Sequence, residues 1–239
     1  MSSEPRQVTV ENEPIEYRVR RSEDATEPRI DVGIHEVTVV VPEGADINPE
    51  QLLSENSAWV VSKKRKFEQY REKIPDREFE PGEVFPYLGE DYELAVERRS
   101  KADVIDGMIR IRQSAVEQSS VKRALENFYK REAREHLTER ATYYADKMDV
   151  EYQKLEIRNQ RTKWGSCSTS GTLGLNWRLM MAPPEIVDYV VIHELAHLRE
   201  SNHTQSFWAM VAKFDPQYQA HSHWLDKNSS RLIFSENDL

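Results

Sequence analysis

Hydrophobic positions along this chain follow a strand-like pattern up to about residue 116 and a largely helical one after it. From Gln7 to Arg21, Val8, Val10, Ile15, Tyr17 and Val19 alternate weakly with polar residues, which predicts a strand. The polar stretch 22–27 predicts a turn, and residues 29–33 with 35–42 predict a β-hairpin. Asn48 then reads as a helix cap, with Pro49 at the first helical position and Gln51 closing a capping box. Leu52, Leu53, Trp59, Val60 and Phe67 give that helix an apolar face. Strand character returns over 78–116, ending in a predicted hairpin around Val104 to Ile111.

The second regime opens with a long amphipathic helix from Val121 to Met148. Val121, Leu125, Phe128, Leu137, Ala141, Tyr144 and Met148 recur there at helical spacing. Residues 154–158, 162–168 and 172–179 read as strands, the last two joined by a turn at 168–171. Pro183 and Pro184 open a further helix, and residues 206–214 and 220–232 read as short helices. No internal repeat is visible. Together the pattern predicts an α+β fold: a leader over 1–6, a β-rich region with one helix within 1–117, and a second domain over 118–239.

Composition changes this picture little. The chain has 239 residues, 38% of them hydrophobic and 31% charged, and its net charge is −9. Such an acidic balance does not support a large nucleic-acid surface. The basic run Lys63-Lys64-Arg65-Lys66 reads as a solvated helix face. One cysteine excludes an internal disulfide and suits a reducing compartment. No apolar run approaches a membrane span, and the polar start lacks the layout of a signal peptide. The expectation is a cytoplasmic protein.

Candidate chemistry concentrates in one stretch, His193-Glu194-Leu195-Ala196-His197, inside the helix that follows Pro184. Residues four apart share a helical face about 6 Å apart along the axis, so His193 and His197 can aim two nitrogens at one point. Zinc accepts imidazole nitrogens at about 2.0–2.1 Å, and catalytic zinc keeps three protein ligands and one open position. Glu194 falls beside the pair, where a carboxylate can take a proton from a water acidified by the metal. The third ligand is His203 or Glu200. His203 requires the helix to end near Glu200 and the chain to turn back through Ser201 and Asn202, with Asn suited to a left-handed turn.

Thr162-Lys-Trp-Gly-Ser-Cys-Ser, Leu175-Asn-Trp-Arg-Leu, Ala182-Pro-Pro-Glu-Ile-Val-Asp-Tyr-Val-Val and His193-Glu-Leu-Ala-His-Leu, through Asn202-His-Thr-Gln-Ser-Phe-Trp, closely resemble the YgjP-like metallopeptidase domain. That family is a relative of SprT-like and minigluzincin zinc peptidases. The N-terminal half resembles it more loosely, at Pro28-Arg-Ile-Asp-Val, Val41-Pro-Glu-Gly and Leu88-Gly-Glu-Asp-Tyr. The resemblance implies a zincin-like domain, zinc held by His193, His197 and His203, Glu194 as general base, and a peptide or protein substrate. It also implies a small sheet beside the cleft, whose edge could bind an extended peptide by strand addition. Leu173 to Asn176 is the candidate edge.

Other residues carry weaker expectations. His223, His221 and Tyr218 are candidates to stabilise an oxyanion. Cys167 as a third ligand would give a deformylase-like amidohydrolase instead. A closed four-ligand site would give a non-catalytic zinc module in a nucleic-acid-processing complex, of the restriction-modification or DNA-repair kind.

Overall fold

The structure, a computed structural model, describes residues 4–160, 163–235 and 238. It divides the chain into two compact units, one running to Ile74 and one from Pro75 to Asp238. This division differs from the one expected at 117/118, for reasons that lie in the second unit. The leader expected over 1–6 lies outside the described residues at 1–3, and Arg6 is already in strand.

The first unit begins with β1 (Arg6–Val10) and β2 (Glu13–Ser22), which pair antiparallel from Val10 opposite Glu13 outward. The single strand expected over 7–21 is thus a hairpin. Glu11 and Asn12 form its two-residue turn, both at positive φ (48° and 63°), as the strand twist demands. Neither is glycine, so the turn signal is weak. β3 (Arg29–Val32) and β4 (Val37–Pro42) form the second hairpin, and β4 pairs parallel with β2. The sheet order is β1-β2-β4-β3. Helices α1 (Pro49–Glu55) and α2 (Ser57–Arg71) follow, broken at Asn56. Asn48 caps α1 as expected, accepting from Glu50 N at 3.0 Å and Gln51 N at 3.4 Å. The Gln51 side chain does not close a capping box but bonds Glu55 one turn on. Ile15, Tyr17, Val37, Val39, Val41, Leu53, Val60 and Val61 build a core for this unit alone.

The second unit opens with the same strand order. Hairpin β5 (Val84–Tyr87) and β6 (Glu90–Glu97) is followed by hairpin β7 (Asp103–Ile105) and β8 (Met108–Arg112), with β8 parallel to β6. The order is β5-β6-β8-β7. After short α3 (Gln113–Gln118) comes α4 (Val121–Met148), which matches its expected range. Ser120 caps it, and Asp149 ends it in the left-handed region at φ 53°. Leu125, Phe128, Tyr129, Ala133, Leu137 and Ala141 form its buried stripe.

The third sheet contains β9 (Lys154–Arg158), β10 (Gly165–Cys167) and β11 (Thr172–Asn176) in the order β10-β11-β9. Thr162, expected to begin a strand, lies outside the described residues. β11 is therefore the central strand, and its Leu173 and Leu175 are fully buried. The expectation of a peptide-binding edge at 173–176 is corrected: the edges belong to β10 and β9. A 3-10 turn over Trp177–Met181 leads into α5 (Pro184–Ala196), then α6 (Gln205–Phe214) and α7 (Tyr218–Asn228).

The β5–β6 turn explains where the units divide. Leu88 N donates to Met180 O at 2.7 Å, and a Cβ on Gly89 (φ +84°) would lie 2.9 Å from Pro183 Cα. The second sheet thus seats on the approach to α5 and shares one core with α4 and α5, including Phe85, Leu94, Ile109, Phe128, Leu137, Val191 and Leu195. No described helix is long and apolar enough to cross a membrane.

Candidate metal centre

α5 is apolar on almost every side, which buries it. Ile186, Val187, Val190, Val191, Ile192 and Leu195 are all covered. Asp188 ties it to α4, receiving Arg140 Nε at 2.6 Å, Arg140 Nη2 at 2.8 Å and Tyr144 Oη at 3.0 Å. A helix fixed this way presents His193 and His197 as rigidly as a side chain on a core element can be held.

The helix ends at Ala196, earlier than expected. The chain turns back through residues 197–204 with no positive φ among them, so Asn202 is not used as a left-handed residue. His203 returns to the α5 histidines. Its Nε2 lies 3.0 Å from His193 Nε2, and a ligand nitrogen from each of His193, His197 and His203 falls within 4.8 Å of the others. Tetrahedral ligation by zinc would separate such nitrogens by about 3.3 Å. Thr204, directly after His203, caps α6 by accepting from Phe207 N at 3.3 Å. That cap places the fully buried Phe207 ring against all three imidazoles, at centroid distances of 4.9, 4.6 and 4.8 Å. Trp208 stacks on His203 at 5.5 Å.

The donors suit a divalent metal. His197 Nδ1 lies 3.1 Å from Glu200 O, which fixes that nitrogen as the N–H and turns Nε2 toward the cluster. Glu200 therefore contributes its carbonyl here. Its carboxylate does not join the cluster, and neither does Cys167. Burial, with His197 and His203 beside it, holds His193 down to about 4, and burial also lowers His197. Neutral imidazoles are the form a metal binds. Burial pushes the Cys167 thiol up to about 11, helped by the Glu194 charge, away from the thiolate a metal would need.

Glu194 is 7% exposed and is pushed up to about 7 by burial, against the charge of Lys163. The strand β10 lies directly on it: a Cβ on Gly165 would stand 2.5 Å from Glu194 Cγ and 2.6 Å from its Cδ. Phe207 reads from the sequence as a core aromatic, and it is fully buried, but its place against the three imidazoles was not foreseen, and Gly165 was passed over. Glycine inside a short strand is a signal of close backbone approach, but it does not say what approaches.

The remaining expected residues part company. Asn176 is 2% exposed, and its side chain is fully committed within the fold. Its Nδ2 donates to Gln160 O at 2.8 Å and Lys163 O at 3.1 Å, and its Oδ1 accepts from Arg178 N at 3.1 Å. It is a clamp on the loop before β10, not a substrate contact. Tyr218 stacks on Trp208 at 5.2 Å and so joins the wall beside His203. His223 is exposed, whereas His221 is partly buried beside Tyr189 of α5, ring centroids 6.4 Å apart.

Comparison with known proteins gives the family. The model of the YgjP-like metallopeptidase domain matches residues 26–228. The chain belongs to the YgjP-like metallopeptidase family. As a YgjP-like metallopeptidase it hydrolyses peptide bonds with a metal ion, and its substrates are peptides or proteins. No curated protein matches it. Among solved structures, the crystal structure of the metallopeptidase zymogen of Pyrococcus abyssi abylysin is similar. It is 24% identical, covers 41% of this YgjP-like chain and 99% of that one, and has a TM-score of 0.36.

Proposed function

We propose that this metallopeptidase holds zinc at His193, His197 and His203, and that Glu194 carries the proton of the reaction. The observation that supports this most is the convergence of three imidazoles on one point, beside a buried carboxylate from the same helix. A zinc ion bound there would supply a Lewis acid that acidifies water and polarises a carbonyl. Glu194 takes a proton from the attacking water as its oxygen bonds to the carbonyl carbon. It returns that proton to the amine nitrogen as the C–N bond breaks.

The substrate is an extended peptide paired with β10. Trp164 O accepts from Asn176 N at 2.9 Å, and Thr172 O accepts from Ser168 N at 3.0 Å. The even-numbered residues of this strand therefore bond β11, and the backbone groups of Gly165 and Cys167 point to the open edge. A peptide strand added there would run past Glu194. The test is Glu194→Gln in zinc-loaded protein, assayed on quenched-fluorescence peptides. Loss of turnover with one zinc per chain retained is expected; undiminished turnover overturns the proton-transfer role.

A further inference from the structure

Near the histidine cluster, α6 and α7 meet at a largely buried acid–imidazole pair that the proton transfer above does not use. Asp215 follows α6 directly, and its side chain is 9% exposed. Its Oδ1 accepts from Gln217 N at 3.1 Å, fixing the turn into α7. Its Oδ2 lies 2.8 Å from His221 Nδ1. Both carboxylate oxygens are committed, so the imidazole has one orientation. Because Asp215 takes the hydrogen bond of the Nδ1 proton, the neutral ring carries its lone pair on Nε2. Nε2 has no hydrogen-bond partner among the described residues and is not one of their fully buried unpartnered atoms, so it keeps some access to solvent.

Tyr189 places this imidazole near the histidine cluster. This residue sits one helical turn before His193, on the α5 face from which the cluster is built. Its ring lies 5.9 Å from the His193 ring and 6.4 Å from the His221 ring. Tyr189 thus touches both rings, which brings His221 of α7 into the neighbourhood of the histidine cluster. A residue of extended peptide spans about 3.3 Å, so a peptide running from the cluster toward α7 would reach His221 within a few residues of the scissile bond.

We propose that His221, positioned by Asp215, is a substrate-binding residue whose Nε2 accepts a main-chain N–H of the peptide on the α7 side of the metal site. The role rests on the metallopeptidase reading above and adds a subsite to it. An unpartnered acceptor with a fixed tautomer is suited to an amide donor and unsuited to a carbonyl. Asp215 acts only through His221, as a positioning residue.

The experiment uses the full chain loaded with zinc, a quenched-fluorescence peptide chosen for turnover by the wild type, and versions of that peptide with single amide N–H groups replaced by ester oxygens. His221→Ala should raise KM roughly three- to tenfold, as loss of one hydrogen bond does, with kcat within about threefold and zinc content unchanged. His221→Gln, whose amide oxygen is an acceptor, should recover part of the loss. In Asp215→Asn the oxygen stays on Gln217 N and the amide N–H2 faces His221, which moves the ring proton to Nε2 and removes the acceptor. That variant should raise KM as His221→Ala does, which a purely structural role would not. One ester position should weaken the wild type and leave His221→Ala unaffected. Absence of any peptide turnover by the wild type overturns the metallopeptidase reading and this one with it. Turnover with KM unchanged in both His221→Ala and Asp215→Asn overturns the subsite alone.

Discussion

Gly165→Ala is the most direct test of how the candidate base is held. The substitution adds one carbon to β10, where the backbone has no positive φ and alanine is otherwise acceptable. That carbon would stand 2.5 Å from Glu194 Cγ and 2.6 Å from Cδ, whereas carbon–carbon contact is comfortable at about 3.5–4.0 Å. The carboxylate, β10 or both must move by about 1 Å. Misplacement of a reacting group by that amount costs on the order of 10²-fold in rate. The three histidines are not touched, so zinc stoichiometry should stay at one while kcat falls by roughly 10²-fold. Glu194→Asp withdraws the carboxylate by one methylene and makes room for the new carbon. The double variant should therefore lose much less than the two single losses combined. Metal analysis, thermal unfolding and peptide kinetics on the four proteins give the answer. A folded, metal-loaded Gly165→Ala enzyme within threefold of the wild type would show that β10 does not position Glu194.

Further outcomes follow from the same geometry. His203→Ala should abolish zinc binding, while Glu200→Ala and Cys167→Ser keep it; metal loss in Cys167→Ser would move the third ligand to the thiol. Glu194→Gln should stabilise the chelated protein at pH 8 and not at pH 4. A carboxyl raised by burial from 4.5 to about 7 contributes fully below pH 4.5 and loses about 3 kcal/mol as pH rises through 7, measurable by denaturant unfolding at the two pH values. An equal effect at both would refute the burial argument. Gly89→Ala, at φ +84° and with its new carbon 2.9 Å from Pro183 Cα, should destabilise the second unit by about 1–3 kcal/mol. An unchanged unfolding midpoint there would mean the hairpin turn is not seated on α5.

The parts of this site legible in the sequence are those whose geometry is local. His193, Glu194 and His197 share one helix, so their spacing alone sets their faces. His203 needed only a helix that stops, and the helix does stop. Legibility fails where an element's neighbours decide its role. β11 and β10 are both short and differ little in pattern, yet one is central and one is an edge, because β9 pairs with Leu173 and not with Ser166. Asn176 reads from the sequence as a candidate substrate contact at the end of the 173–176 strand, but its partners Gln160 and Lys163 stand far enough back in the chain that only folding reveals them. His221 and His223 are two residues apart on one helix and differ only in which side faces Tyr189 and Asp215. The boundary expected at 117/118 followed a change of pattern, whereas the true partition follows which sheet closes over α5.

The chain builds one strand order twice, β1-β2-β4-β3 and β5-β6-β8-β7, and encloses a separate hydrophobic core around each copy. Cooperativity is confined to a shared core, so a single midpoint and a single unfolding enthalpy do not describe this molecule. Calorimetry should resolve two transitions, and only the one belonging to Pro75–Asp238 should climb with zinc concentration, since the proposed zinc ligands all lie in that unit and no metal-ligand cluster lies among the described residues of the other. Damage to Ile15 or Val39 would then melt the first copy and leave the second, with its histidines, at its own temperature.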